Sequence, residues 1–132
     1  MRRRNEKRSL PETSLLKIDK DCFCEAELNR KYIQTIIHTC RKQNVRVLWV
    51  RFTFSRHGMH YYIKIDPPLE PEIANDLQYL LGDDAKRHAF NRARMKSGIA
   101  EWNKLFERIG AILRIVYRAP GITEASLRFC LY

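Results

Sequence analysis

Two β-rich runs, separated by a five-residue reversal, constrain this chain more than any other feature. "VRVLWVRFTF", Val45–Phe54, is built from β-branched and aromatic residues, the pattern of a central strand covered on both faces. "HYYIKID", His60–Asp66, sets Tyr61, Ile63 and Ile65 against His60, Tyr62, Lys64 and Asp66, as a strand with two distinct faces does. Between them "SRHGM" places Gly58 where the chain must turn. The pair predicts a β-hairpin.

The flanking segments decide where that hairpin sits. "SLLKID", Ser14–Asp19, reads as a strand with Leu16 and Ile18 on one face and Leu15, Lys17 and Asp19 on the other. From Glu25 to Gln43 the period changes: Leu28, Tyr32, Ile33, Ile36, Ile37 and Cys40 recur at spacings of three and four, which predicts an amphipathic helix with Asn44 as its terminator. After the hairpin, "DPPLEPE" breaks the sheet. A helix follows with Ile73, Leu77, Leu80 and Leu81 inward, ending at Gly82. A second starts at Asp83 or Asp84 and carries His88, Arg92 and Lys96 along one side, and a third, Ile99–Arg108, is defined by Ile99, Trp102, Phe106 and Ile109. "AILRIVYR" reads as a strand and "SLRFCLY" as another. Strand, helix, strand, strand, helices, strand is the split βαβ order of ferredoxin-like and RNA-recognition-like folds. The expected class is α+β: an antiparallel sheet with helices on one face, extra C-terminal helices, and the other face open. At 132 residues the chain fits one domain, residues 13–132, preceded by a flexible basic arm, residues 1–12.

Charge narrows the partners. Twenty-five Lys and Arg oppose fifteen Asp and Glu, for a net +10, and the first nine residues hold five of the positive charges and one of the negative. The body therefore remains basic without its arm, which favours anionic partners and points to DNA or RNA held by phosphate contacts. Arg2, Arg3 and Arg4 of the arm, Arg56 and His60 of the hairpin, and Lys86, Arg87, Arg92, Arg94 and Lys96 of the basic helix are the candidate contacts. No run approaches the roughly 18 apolar residues of a membrane span, and no apolar stretch follows the basic N-terminus as in a secretory signal, so an intracellular protein is expected.

Cys22, Cys24 and Cys40 with His38 form a C-x-C…H-x-C set; Cys130 stands apart. A zinc site, buried free thiols and a bridge from Cys22 or Cys24 to Cys40 are the three readings. His38 and Cys40, two apart near a helix end, point to different faces, which disfavours zinc. Two aspartates, Asp19 and Asp21, close the first strand. Residues i and i+2 of a strand point the same way, so the pair suits a divalent metal, Mg²⁺ or Mn²⁺; equally, Asp21 is placed to cap the next helix. Around Ser55 no pattern resembles a nucleophile elbow.

"LLKIDKD" followed, after one helix and one strand, by "SRHGMHYYIKI" resembles the first two motifs of the archaeo-eukaryotic primase superfamily. That resemblance covers about residues 14–66. It implies an RRM-type core, metal ligands at Asp19 and Asp21, and phosphate contacts at Ser55, Arg56 and His60. It also implies a third acidic residue on a later strand; "AILRIVYR" has none, leaving Asp66, Asp83 and Asp84 as candidates. Over more of its length the chain is similar to small proteins of hyperthermophilic archaea and their viruses that share a "LLGDD…R…R" stretch like Leu80–Arg94, a kinship that implies no activity and, if the source is viral, a host cytoplasm. The expected function is nucleic-acid binding on a primase-like scaffold without catalysis. One alternative is metal-dependent nucleotidyl transfer or cleavage at Asp19, Asp21 and His60; another is a structural homodimer that covers an apolar sheet face.

Overall fold

The computed structural model describes residues 10–21 and 25–123. Along them run β1 (Thr13–Lys20), α1 (Ala26–Lys42), β2 (Arg46–Phe54), β3 (Met59–Leu69), α2 (Pro71–Leu80), α3 (Ala85–Lys96) and β4 (Arg114–Arg118). The strands form one antiparallel sheet in the order β1-β3-β2-β4. β3 inserts between the two strands that α1 connects, which is the split βαβ arrangement the sequence predicts. Residues 1–9, with Arg2, Arg3 and Arg4, lie outside the described residues, as do Cys22, Cys24 and the stretch 124–132 that holds Cys130 and the last expected strand.

Register explains the core. Leu16 faces Ile63, which faces Val50; Ile18 faces Tyr61, which faces Phe52. These side chains share one sheet face and are buried against Ile33, Ile36 and Cys40 of α1 and Ala74 and Leu77 of α2. The spacing of three and four along α1 is thus the spacing of its contacts. The helix stops where Asn44 takes φ 60°, and Val45 N–H returns to the Cys40 carbonyl at 2.9 Å. Tyr61 anchors the layer: its hydroxyl donates to Asn29 Oδ1 at 2.6 Å and its ring meets Tyr32 edge-on with centroids 5.0 Å apart.

Three expectations need correction. First, "DPPLEPE" does not break the sheet at Asp66. β3 runs through Pro67 and Pro68 to Leu69: the register shift between Thr13 and Leu15, and the end of the β2 pairing at Asp66, leave the prolines without a register partner whose carbonyl would need their missing N–H. Second, α2 buries Ala74, Asn75, Leu77 and Gln78, with Leu81 just beyond, while Ile73 and Leu80 are exposed. Third, residues 99–108 are not helical. Ile99, Phe106 and Ile109, three of the four residues of the supposed stripe, are exposed, and only Trp102 joins the core. The 97–113 segment instead crosses the second face of the sheet, which is consequently not open: Trp49, Thr53, His60 and Tyr62 are all buried there.

The polar side of α2 has a purpose at the outer edge of β1. Lys17 N–H donates to Gln78 Oε1 at 2.9 Å and Asp19 N–H to Asp83 Oδ1 at 2.8 Å. Lys17 C=O accepts from Arg87 Nη2 at 3.0 Å, and Leu15 C=O from Asn103 Nδ2 at 3.4 Å. Side chains thus occupy the ladder positions a further strand would use, and β4 adds beside β2.

Candidate functional site

β1, β2 and β3 bring Asp19, Thr53 and His60 into one row on the second face, since Asp19 and Thr53 both stand opposite His60 in register. Glu107 of the 97–113 segment descends onto that row. Its Oε1 accepts from Thr53 Oγ1 at 2.7 Å and Tyr62 Oη at 2.5 Å, and lies 2.8 Å from His60 Nδ1. The other ring nitrogen, Nε2, is 3.4 Å from Asp19 Oδ1. Burial works against a charged imidazole, but the hydrogen bonds and negative charge of Asp19 and Glu107 outweigh it, so the His60 pKa stands above its ordinary value. The array can hold and pass a proton between two carboxylates. It leaves neither ring nitrogen directed at a phosphate, so His60 is not the free phosphate contact the sequence predicts; its side chain is 9% exposed.

Glu107 is the residue sequence reading missed. The only signal was its place in a segment whose apolar spacing imitates a helix. The expected acidic candidates lie elsewhere: Asp83 is buried against Arg87, Asp84 caps α3 by accepting from Lys86 N–H at 2.9 Å, and Asp66 is exposed at the far end of the hairpin. Asp21 lies past the end of β1 and is exposed, so it does not share the strand geometry that would align its carboxylate with that of Asp19. Nor does it cap α1, whose N-cap is Glu25 with no side-chain capping bond. Among the described residues no three His, Cys, Asp or Glu side chains are grouped to hold a metal ion. His38 is exposed while Cys40 is wholly buried, so these two face apart, and burial pushes the Cys40 thiol up to about 11.

The predicted cations divide into two groups. Arg87 is structural: it is buried, pairs with Asp83 at 3.1 Å, and donates to Asn103 Oδ1 and to the carbonyls of Lys17 and Lys104. That network leaves its guanidinium no room for a phosphate. Lys86, Arg92 and Lys96 are exposed along α3, and Arg56 is exposed at the hairpin turn; Arg94 is half-buried and donates to Asn91 Oδ1 at 3.2 Å. Topology gathers part of this charge. Lys20 stands opposite Met59 beside the hairpin turn, and the Asp19–Asp83 hydrogen bond brings the start of α3 to the same end of the sheet. Lys20, Arg56 and Lys86 therefore share one end of the molecule, with Lys20 Nζ 4.2 Å above the Tyr32 ring. Phe52 is in the core and Tyr62 is buried beneath Glu107, so neither ring of these strands is presented for stacking on a base.

Comparison of the chain with protein-family models, with curated proteins and with solved structures returns no match.

Proposed function

We propose that the protein binds DNA or RNA through the phosphate backbone, on a primase-like scaffold and without catalysis. The observation that supports this reading is that Lys20, Arg56 and Lys86 lie at one end of the sheet, with Lys96, and Arg92 beside Asp76, exposed further along α3. Phosphate contacts release counterions, so affinity falls steeply with salt. Fluorescence anisotropy with a labelled oligonucleotide should show at least a tenfold loss between about 50 and 200 mM salt. Arg56→Ala, Lys86→Ala and Arg92→Ala should each weaken binding across sequences and reduce the salt slope by about 1. An affinity indifferent to salt sinks the proposal.

A second reading is metal-dependent phosphoryl transfer at Asp19, Asp21 and His60; the 3.4 Å approach of Asp19 to His60 is what favours it, although among the described residues no three such side chains are grouped to hold a metal ion. A metal there would have to part the imidazole from one carboxylate. Calorimetric titration with Mn²⁺ decides it: no binding at millimolar metal, or the same weak binding in Asp19→Asn, removes the enzyme from consideration.

A further inference from the structure

Between the second face of the sheet and the 97–113 segment runs a groove of about 980 Å³, at the upper end of the roughly 300–1,000 Å³ that ligand pockets occupy. Lys17, Lys104 and the exposed Phe106 ring line it. Most charges around it are accounted for. Arg87 is held by Asp83 and Glu107 by His60, whereas Lys104 Nζ, 3.1 Å from the exposed Glu101 Oε2, is only loosely paired at the surface. Glu12 and Arg108, which also line the groove, are exposed to water. Lys17 differs. Its backbone is pinned on the outer edge of β1, and its side chain projects onto the face it shares with Tyr62. Among the described residues no carboxylate stands within ion-pair distance of its ammonium. Burial, followed by the repulsion of Arg87 and Lys104, lowers its pKa from the ordinary lysine value, and the attraction of Glu101 offsets only part of this. A half-buried ammonium without an ion-pair partner, near a second one, is relieved by an anion.

We propose that this groove takes one unpaired nucleotide of a single-stranded nucleic acid, with its phosphate on Lys17 and Lys104 and its base on Phe106. The proposal rests on the nucleic-acid reading above and deepens it by separating two modes: the cationic end tracks any backbone, and the groove selects a strand whose base is free to stack. Anisotropy with a single-stranded oligonucleotide and with its duplex, at one low salt concentration, separates them. Lys17→Met and Phe106→Ala should each weaken single-strand binding about fivefold or more and leave duplex binding within about twofold. The double variant Arg56→Ala/Lys86→Ala should weaken both. If Lys17→Met and Phe106→Ala leave single-strand affinity unchanged, or weaken both forms equally, the groove proposal is overturned while the backbone reading stands. If the wild-type protein binds neither oligonucleotide, both fall. Phe106 is 78% exposed, so Phe106→Ala keeps the fold and decides the matter even if Lys17→Met does not express.

Discussion

With a carboxylate on each side, the His60 imidazole holds its proton more firmly than a free histidine does. Its folded-state pKa lies above the unfolded value of about 6.5. The stabilisation is therefore complete below about pH 6.5 and fades as pH rises through the folded value. Urea unfolding should show the advantage of wild type over His60→Gln to be largest near pH 6 and smaller by pH 9; a flat difference would mean that folding leaves the affinity of the ring for its proton unchanged. Glu107→Ala strips Thr53, Tyr62 and His60 of their shared acceptor and should cost about 1–3 kcal/mol, read as a lower urea midpoint. None of this was legible in the sequence beyond Asp19 and His60 as single residues, each singled out by a motif that resembles the primase superfamily. Thr53 could not join them, because both faces of its strand are apolar and its phase was open. Glu107 could not, because a contact made by an irregular segment carries no period.

Strands and helices were legible where one face is apolar. α1 and the β2–β3 hairpin follow their periods to within a few residues, and Asn44 ends α1 as its chemistry predicts. The reading failed where burial is polar. Asn75 and Gln78 are buried on α2 because they satisfy backbone and side-chain partners at β1 and α3, so an apolar count puts the wrong face inward. It failed again at 99–108, where four apolar residues at helical spacing are divided between core and solvent. The seal along β1 is open to direct test. Asp83→Ala leaves the buried Arg87 guanidinium without its carboxylate and Asp19 N–H without its acceptor. Removing one partner of a buried pair costs about 3–5 kcal/mol. Thermal melting should register it as a large drop, whereas Asp84→Ala, which removes only the α3 cap, should cost about 1 kcal/mol.

Taken together, one sheet face is packed by helices and the other is crossed by a single irregular segment that leaves apolar groups outward. Ile109 and Ile112 of that segment are exposed beside the Phe106 ring of the groove, and Ile115 and Val116 are exposed on the two faces of the adjoining β4. This supports the proposal that a second copy covers part of this surface, and sedimentation velocity should then show a dimer that Ile112→Asp returns to monomer. A concentration-independent monomer would retire it. The edge of β1 carries a different implication, for how the chain is made. Its acceptors and donors are supplied by Gln78, Asp83, Arg87 and Asn103, at separations of 61, 64, 70 and 88 residues. β1 therefore leaves the ribosome well before its edge can be finished. Until translation passes Asn103, its bare rim is exposed to whatever other nascent polypeptide lies nearby.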